Sequence, residues 1–304
     1  MSISLKHLRT VSGHTDAVTA LAMTPSGFYI LSASNDKTLK VWQLHDGMEL
    51  LTLEGHHNRV TGIVITPDGS FAVSSSEDKS LKVWDLSTGI DHLTFQQAHF
   101  NRLTALAMTP DGSRIISGSR DHTLKVWDIS TLETDNQLHT LTDHSDWITD
   151  VAVTPDGTKA VSAARDNTVK IWDLNTGKAL YTLKGHIYFV TAVAITPDGL
   201  QAVSASWDKT LKVWDLNTGD EIRTLSGHAD YIETVAITPD GSKVISGSWD
   251  NTLKLWDLQT GSLLTSFNIK GKLSSCVVAP DGVNIVIGTQ GGRIHFLQLE
   301  NCTS

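Results

Sequence analysis

A histidine followed 28 positions later by a tryptophan occurs six times along this 304-residue chain. The tryptophans of successive pairs are 42, 43, 45, 42 and 42 residues apart. A period of this length is typical of propeller blades or of paired helices, so the chain folds as copies of one small unit. The pairs are His14 and Trp42, His56 and Trp84, His99 and Trp127, His144 and Trp172, His186 and Trp214, and His228 and Trp256.

The residue types within each unit favour strands over helices. In the fifth unit, the runs VTAVAIT, QAVSAS, TLKVWD and EIRTL are separated by the turn sequences PDG, WDK and LNTG. Small and β-branched residues dominate the runs, and a turn signal arrives after each of them, which is the punctuation of strands and hairpins. We therefore expect an all-β protein in which each unit is a four-stranded antiparallel blade, with the blades packed radially.

A seventh, degenerate unit follows the six regular ones. Aligning its PDG turn with the earlier turns places Ile269 at the histidine position, Gly291 at the aspartate position and Leu297 at the tryptophan position. Three strands fit between about residues 273 and 299, and the outer strand is missing there. Residues of about 5–11 keep the register of that strand, so we expect the N-terminal strand to close a seven-bladed ring. A disordered N-terminal tail is the alternative.

Composition bounds the class of protein. Charged residues make up 19% and hydrophobic residues 40%, as expected for a globular chain with a sizeable core. The repeats predict that residues 1–304 form a single propeller domain. The net charge of −9 disfavours a general affinity for nucleic acid or anionic membranes, and no apolar run is long enough for a membrane helix. The first ten residues lack the features of a signal peptide. Cys276 and Cys302 form no Cys-x-x-Cys pair, so we predict no thiolate metal site and a cytoplasmic location.

The repeated motifs resemble those of the WD-repeat β-propeller family. Gly55-His56 and its counterparts match the first signature of that family, and Trp84-Asp85, Trp127-Asp128, Trp172-Asp173, Trp214-Asp215 and Trp256-Asp257 match the second. The departures are Trp42-Gln43, Ala98-His99, Asp143-His144 and the eroded seventh unit. Phrases such as TPDG and TLKVWDLNTG look like those of bacterial members, in which propellers are often the sensor portion of longer signalling NTPases or kinases.

Each regular unit also carries a serine and an aspartate at fixed spacing, which together with the histidine could suggest a catalytic triad. Catalysis needs one unique site, whereas this set recurs six times, and six histidines in six blades lie too far apart to share a metal ion. A buried indole N–H needs an acceptor, and the resemblance implies a structural tetrad in which Trp donates to Ser, Ser to His and His to Asp. The predicted tetrads are His14, Ser32, Asp36 and Trp42; His56, Ser74, Asp78 and Trp84; His99, Ser117, Asp121 and Trp127; His144, Ser162, Asp166 and Trp172; His186, Ser204, Asp208 and Trp214; and His228, Ser246, Asp250 and Trp256.

Variation is concentrated at two positions per unit, the third residue after the histidine and the residue before the turn aspartate. Both should project at one mouth of the central channel, on the face that we call the upper face. The first series is Ala17, Arg59, Arg102, Trp147, Phe189 and Tyr231, and the second is Asn35, Glu77, Arg120, Arg165, Trp207 and Trp249. These twelve positions hold all three tryptophans outside the tetrads and four of the eight arginines. We call them the upper rim.

Aromatic residues and arginine are the types enriched at binding hot spots, and propellers of the family that the sequence resembles commonly hold peptides on this rim. The predicted ligand-binding residues are Arg59, Arg102, Arg120, Arg165, Trp147, Phe189, Trp207, Tyr231 and Trp249. Arginines suit a carboxylate or a phosphate, and the aromatic residues suit apolar side chains or a cation. We therefore predict a non-catalytic scaffold or sensor that binds an acidic or phosphorylated peptide segment with hydrophobic anchors and needs no cofactor. Simple packing of the rim against neighbouring blades is the alternative.

Two other function classes are weaker. Bases stacked on the aromatic residues, with phosphates on the arginines, would make a nucleic-acid-binding propeller, but the net charge and the row of PDG aspartates on the lower face argue against it. An enzyme would need titratable groups that converge at the channel mouth outside the repeat. Only Glu77 and Glu233 are candidates there, and no further histidine joins them.

Overall fold

The computed structural model describes residues 2–131 and 136–302, and in this part of the protein every regular element is a β-strand. Its 28 strands form seven sheets of four strands each, paired antiparallel. The predicted all-β, seven-bladed propeller is therefore confirmed. Residues 132–135, within the insertion that lengthens the third unit, lie outside the described residues.

The strands follow one another in blades numbered in sequence order, after an N-terminal strand β1 (Ser2–Ser12). Blades 1 to 3 consist of β2 (Val18–Met23), β3 (Tyr29–Ser34), β4 (Leu39–Gln43) and β5 (Glu49–Leu53); β6 (Val60–Ile65), β7 (Phe71–Ser76), β8 (Leu81–Asp85) and β9 (Asp91–Phe95); and β10 (Leu103–Met108), β11 (Arg114–Ser119), β12 (Leu124–Asp128) and β13 (Gln137–Leu141). Blades 4 to 6 consist of β14 (Ile148–Val153), β15 (Lys159–Ala164), β16 (Thr168–Asp173) and β17 (Lys178–Lys184); β18 (Val190–Ile195), β19 (Gln201–Ser206), β20 (Thr210–Asp215) and β21 (Glu221–Ser226); and β22 (Ile232–Ile237), β23 (Lys243–Ser248), β24 (Thr252–Asp257) and β25 (Leu263–Asn268). Blade 7 contains β26 (Leu273–Val278), β27 (Asn284–Thr289), β28 (Arg293–Cys302) and, as its outer strand, β1.

Burial within a blade follows the position of the strand. In blade 5, five of the six residues of β19 are buried, and they are alanine, valine and serine, because both faces of this strand are covered by neighbouring sheets. In the outer strand β21 only Leu225 is fully buried, and the strand carries polar residues at the exposed positions. Small residues near the axis and polar residues at the periphery are what a wedge-shaped blade requires.

Three turns join the four strands of each regular blade: the PDG and LNTG turns lie at one face of the disc, and the turn after the tetrad aspartate lies at the other. In the PDG turn of blade 5, Gly199 has a φ of +72°, which a side chain would disfavour, and Thr196 donates to the Asp198 carboxylate across the turn (2.5 Å). In the opposite turn Lys209 has a φ of +71°. Asp208, just before it, accepts hydrogen bonds from the backbone and hydroxyl of Thr210 (2.9 and 2.6 Å) and so fixes the hairpin.

Blade 7 closes the ring through its outer strand. β1 pairs antiparallel with β28 from Ser2 opposite Cys302 to Ser12 opposite Arg293, with an irregularity between His7 and Arg9. The strand is longer than the predicted 5–11, and residues 2–12 are ordered in the sheet rather than a loose tail. Leu5 of β1 packs against Ile269 and Leu297, which occupy the histidine and tryptophan positions of the tetrad. Apolar contacts therefore replace the polar tetrad in blade 7.

The core is divided among the interfaces between blades. Around Trp214, for example, one cluster combines Val161 and Ile171 of blade 4 with Val193 and Ala202 of blade 5. Each regular tryptophan therefore belongs to the contact between its own blade and the preceding one.

The innermost strands surround a central channel with a volume of about 360 Å³. Hydroxyl groups on its wall donate to carbonyl oxygens of the next blade at 2.6–2.7 Å, and they belong to Thr19, Thr104, Thr149, Thr191 and Ser274. Glu233 occupies the same position in blade 6. At this position six blades carry a hydroxyl group and blade 6 carries a carboxyl group.

Candidate functional site

The four tetrad residues of each regular blade are joined in one hydrogen-bonded series. In blade 5, Trp214 Nε1 donates to Ser204 Oγ (2.8 Å), Ser204 lies 2.7 Å from His186 Nε2, and His186 Nδ1 lies 2.7 Å from Asp208 Oδ2. The indole donates to the serine oxygen and Nδ1 donates to the carboxylate, so the series ends on the aspartate. The corresponding distances in all six regular blades are 2.7–2.9, 2.7–2.8 and 2.7–3.0 Å.

The tetrad aspartate is fully used by the fold. Burial alone would raise the pKa of Asp208, but hydrogen bonds and charge from His186, together with the bonds from Thr210, outweigh burial and hold the pKa at about 2. The backbone N–H of Ile187 donates to the same carboxylate (3.2 Å). The histidine side chain is 1% exposed and the aspartate side chain 4% exposed, so no substrate reaches this pair. The geometry supports a structural role for the tetrads.

The two rim positions of each blade are joined by a backbone hydrogen bond. The N–H of Trp207 donates to the carbonyl of Phe189 (3.0 Å), and the same bond joins the other pairs at 2.9 Å. The pairs in blades 1 to 6 are Ala17 and Asn35, Arg59 and Glu77, Arg102 and Arg120, Trp147 and Arg165, Phe189 and Trp207, and Tyr231 and Trp249. In blade 7 the N–H of Gln290 donates to the carbonyl of Lys272 (3.0 Å), which adds a seventh pair to the rim.

One carboxylate organises the arginine side of the upper rim. Glu77, which is only 7% exposed, accepts from Arg102 Nη1 (3.1 Å) and from Arg120 Nη2 (2.8 Å). Burial lowers the pKa of Arg120, and the charges of Arg102, Arg165 and Arg59 lower it further, against the opposing effect of Glu77. Glu77 thus pairs with two of the four rim arginines, Arg102 and Arg120.

Trp147 joins the arginine side to the aromatic side. The guanidinium carbons of Arg120 and Arg165 lie 4.4 and 4.3 Å from the centroid of its ring. Arg165 also contacts the rings of Phe189 (5.2 Å) and Trp207 (5.8 Å). Such cation–π contacts hold both arginines in place at the mouth of the channel.

The aromatic side chains of blades 5 and 6 form one cluster. Trp207 and Tyr231 are stacked with ring centroids 4.7 Å apart and an interplanar angle of 11°, and Trp249 contacts both (5.7 and 5.4 Å). Tyr188, which lies one residue before Phe189 and outside the twelve predicted positions, is stacked on Trp207 at 6.2 Å. The cluster is thus larger than predicted and continuous from Arg165 to Trp249.

Two ionisable side chains, Glu233 and Lys272, lie at the edge of this cluster. Glu233 accepts a hydrogen bond from Trp207 Nε1 (3.1 Å), and burial raises its pKa, although Trp207, Arg165 and Lys272 act in the opposite direction. The ammonium group of Lys272 lies 4.0 Å from the ring centroid of Trp249. The indole N–H of Trp249 is buried and has no hydrogen-bond acceptor among the described residues.

A second buried carboxyl group lies deeper in the channel. Asp150 accepts from the backbone N–H groups of Val151 and, across the blade interface, of Val193 (both 2.9 Å). Burial raises its pKa to about 7, although these two bonds lower it. Blades 2, 3 and 5 have glycine or alanine at the equivalent position. This carboxyl group, with its raised pKa, faces the channel.

A small cavity opens between the arginine and aromatic sides. It has a volume of about 170 Å³ and meets the central channel below it, with which it shares Thr104, Thr149, Thr191 and Glu233. We call it the mouth pocket, and its remaining lining residues are Arg120, Trp147, Ile148, Arg165, Phe189 and Trp207.

The structure thus brings most, though not all, of the predicted rim residues together. Arg120, Arg165, Trp147, Phe189 and Trp207 line the mouth pocket, and Tyr231 and Trp249 extend the cluster from it. Arg102 is held by Glu77, and Arg59 is exposed, outside the aromatic contacts.

Sequence reasoning missed Tyr188, Lys272 and Asp150. Only Lys272 had a usable signal, because the register of the degenerate seventh unit places it third after the histidine position.

The lower face is less uniform than the row of PDG aspartates suggested. In blade 1, Ser26 replaces the aspartate and Phe28 is 68% exposed. Tyr29 and Leu50 line a cleft of about 680 Å³ between blades 1 and 2. This apolar cleft is separate from the upper rim.

The described residues contain no cluster of three or more histidine, cysteine, aspartate or glutamate side chains suited to a metal ion. Within the same ranges no helix is long and apolar enough to cross a membrane.

The repeat matches a known family over most of its length. The family model described as "WD domain, G-beta repeat" matches six segments, which are residues 5–43, 47–85, 91–128, 135–173, 177–215 and 219–257. Similar proteins include the "Ribosome biogenesis protein BOP1 homolog" of Drosophila grimshawi and that of Drosophila ananassae, each 49% identical over 35 residues. That stretch is 12% of this chain, which spans only 4% of the length of these curated relatives. It is shorter than one repeat.

Proposed function

Because this chain belongs to the WD-repeat family, whose members are generally protein-interaction scaffolds, we propose that it is a non-catalytic module that binds a peptide segment on its upper rim. The segment carries an acidic or phosphorylated residue beside hydrophobic anchors. The coarse part of this function follows from the family, and the finer part rests on the side chains of this protein alone.

One observation carries the proposal: the side chains that depart from the repeat converge on one mouth of the channel. Every regular blade needs the tetrad for its fold. The rim residues differ from blade to blade, so they do not serve a structural need that all blades share. Trp147, Arg165 and Trp207 nevertheless meet there in direct contact. Aromatic and arginine side chains in a partly desolvated cluster are the usual source of binding energy at protein interfaces.

The two sides of the rim match the two parts of such a ligand. Four arginines with one bound carboxylate attract an anionic group. The stacked rings of Trp207, Tyr231 and Tyr188 offer a flat apolar surface next to it. A peptide with an acidic residue followed by an apolar one satisfies both sides at once.

The titratable groups of the site favour binding over catalysis. The tetrad histidines and aspartates are buried within the blades, away from the mouth pocket. Glu233 and Asp150 lie in different blades, and each is held by hydrogen bonds to the protein. No nucleophile is paired with a base within the lining of the mouth pocket.

Selection from a library of random peptides displayed on phage tests the proposal. Wild-type protein is compared with the variant Arg120→Ala, Trp207→Ala, Trp249→Ala, after both are shown to have the folded circular-dichroism spectrum. We expect enriched peptides in which an acidic residue neighbours an aromatic or aliphatic one. Their affinity should fall about tenfold or more in the rim variant.

A lower-face variant, Phe28→Ala with Arg114→Ala, is the matched control, because it removes an aromatic residue and an arginine from the opposite side of the disc. It should bind the selected peptides as wild type does. Equal binding by the rim variant, or loss of binding in the control alone, would move the site away from the upper rim. Preferential binding of single-stranded DNA with a steep salt dependence would instead favour the nucleic-acid alternative.

The wider context of the module stays a prediction. Bacterial origin, attachment to a signalling NTPase or kinase, and a cytoplasmic location were expected from resemblance and cysteine usage. The match to the ribosome biogenesis proteins covers less than one repeat, so it supports the repeat and adds no partner.

A further inference from the structure

Arg165 is held at the mouth pocket without a hydrogen-bond acceptor for its guanidinium group. Its guanidinium lies against the rings of Trp147, Phe189 and Trp207, and its side-chain N–H groups donate to no atom of the described residues. Arg120 Nε in the same lining is buried and also lacks an acceptor. A buried donor that stays unpaired is unfavourable, so Arg120 Nε points to an acceptor supplied by a ligand, and the guanidinium of Arg165 faces the same pocket.

The size of the mouth pocket limits that ligand group. Pockets for whole small molecules have volumes of roughly 300–1,000 Å³, whereas this pocket has about 170 Å³. It therefore holds one group of a larger ligand. Its walls are the rings of Trp147, Phe189 and Trp207 on one side and threonine hydroxyls on the other.

The charges around the pocket favour a monoanion over a dianion. Glu77 already compensates part of the charge of Arg120, and Glu233 forms part of the pocket wall. A phosphate dianion would be repelled by this carboxyl group. A carboxylate fits better, because it brings only one negative charge close to Glu233.

We propose that the mouth pocket is a carboxylate subsite, in which Arg165 and Arg120 bind the two oxygens of a ligand carboxylate while Trp147, Phe189 and Trp207 enclose the apolar group that bears it. This inference rests on the proposed peptide-binding function and names the group that anchors the peptide. The carboxylate comes from the C-terminus of a peptide or from an acidic side group, and the chemistry of recognition is the same for both. The planar guanidinium of Arg165 matches a carboxylate bidentately.

Small probes separate these sources. N-acetyl-phenylalanine presents a terminal carboxylate on an aromatic body, and its amide differs only in that group. N-acetyl-glutamic acid α-amide presents a side-chain carboxylate, with N-acetyl-glutamine α-amide as its neutral counterpart. Binding is followed through the indole N–H resonances of Trp147 and Trp207 in ¹⁵N-labelled protein, because both rings lie in the pocket wall.

We expect at least one acid to bind about tenfold more tightly than its neutral counterpart, and the acid that binds better identifies the source. Arg165→Ala should remove this preference, and Arg165→Lys should restore only part of it, because lysine keeps the charge but lacks the planar fork. Arg114→Ala, which removes an arginine from the lower face, should leave the preference intact.

Equal binding of acids and neutral counterparts overturns the carboxylate subsite, as does failure of every probe to shift either indole resonance. Tighter binding of phenyl phosphate than of both acids overturns the preference for a monoanion. These outcomes are distinct from failure of the proposed function. Peptides displayed on phage through their C-terminus report on the rim as a whole and have no free terminal carboxylate, so they can bind even if this subsite is absent.

Discussion

Two tryptophans seven positions apart in blade 5 show how one residue type serves two purposes. Trp214 is 1% exposed and donates to Ser204 inside the blade. Trp207 lies at the rim, stacked on Tyr231 and donating to Glu233. The first recurs because every regular blade has the same interior, and the second varies because it faces the channel mouth.

The different roles of Trp214 and Trp207 predict different losses of stability when each is replaced. Trp214→Ala should lower the free energy of unfolding by about 3–5 kcal/mol, because it leaves a cavity and removes one hydrogen-bond donor from Ser204. Trp207→Ala should lower it by about 1 kcal/mol through lost ring contacts, while it weakens binding of the selected peptides. Urea unfolding of both variants measures the difference. Equal losses would place Trp207 among the structural residues.

Asp150 predicts a pH dependence of stability. Its folded pKa of about 7 lies above the usual value of 3.8, so the folded state holds a proton that the unfolded state releases. The stability contributed by this proton is present below about pH 4 and is lost as the pH rises through 7. Asp150→Asn removes the ionisation, so its melting temperature relative to wild type should rise between pH 4 and 7 and then level off. A constant difference across this range would show that Asp150 stays ionised in the folded protein.

The contacts of the residues that recur in every blade could be predicted from the sequence. The contacts of the residues that depart from the repeat could be predicted only in part. The tetrads follow from spacing because each blade repeats the same four contacts. The sharing of Glu77 by Arg102 and Arg120 could not be read from spacing, because it depends on the reach of side chains from different blades. Asp150 was missed because a single polar residue in an inner strand gives no signal until its burial is known.

At the scale of elements, the sequence repeat and the blade are offset by one strand. Each segment that matches the family model begins near the outer strand of one blade and ends with the third strand of the next. The offset leaves β1 without a blade of its own at one end and β26 to β28 without an outer strand at the other. Pairing of β1 with β28 solves both problems. Because β1 takes the place of an outer strand, the register of the repeat was enough to predict it. The apolar contacts that replace the tetrad in blade 7 could not be predicted, because the seventh unit has lost the repeated residues.

This arrangement makes β1 a stabilising element. Deleting residues 1–12 should lower the melting temperature, since it exposes the edge of β28 and removes Leu5 from the blade 7 core. Leu5→Ala should by itself lower the free energy of unfolding by about 2–5 kcal/mol. Lys6→Ala is the control from the other face of the strand, where the pair with Glu300 is exposed and contributes less than about 1 kcal/mol. A truncated protein that melts as wild type does would contradict this role.

At the scale of the whole molecule, charge is distributed unevenly. The protein has a net charge of −9, and the PDG turns place an aspartate on the lower face in six of the seven blades. The arginines of blades 2 to 4 gather at the opposite mouth. The anionic ligand proposed above would meet its nearest cluster of positive charges at the upper rim.

Arg59 tests this electrostatic effect, because it is exposed and outside the mouth pocket. Arg59→Ala should reduce the association rate of an acidic selected peptide a few-fold and leave its dissociation rate nearly unchanged, since rim charges act mainly on encounter. It should also reduce the dependence of the association rate on salt. Stopped-flow measurements at several salt concentrations check this, with Arg114→Ala on the lower face as the control. A change in the dissociation rate alone would show direct contact instead.

The pairing of β1 with β28 also sets an order of events when the protein is made. The strand that is synthesised before all the others described here waits for a partner nearly 290 residues further on. At about 5–20 residues per second, that wait lasts on the order of 15–60 seconds, during which β1 presents an unpaired edge. Blades 1 to 6 can form as they emerge from the ribosome, but the ring cannot close until β28 does. Chaperones that bind nascent polypeptides would therefore find their longest-lived target in the first strand of this protein.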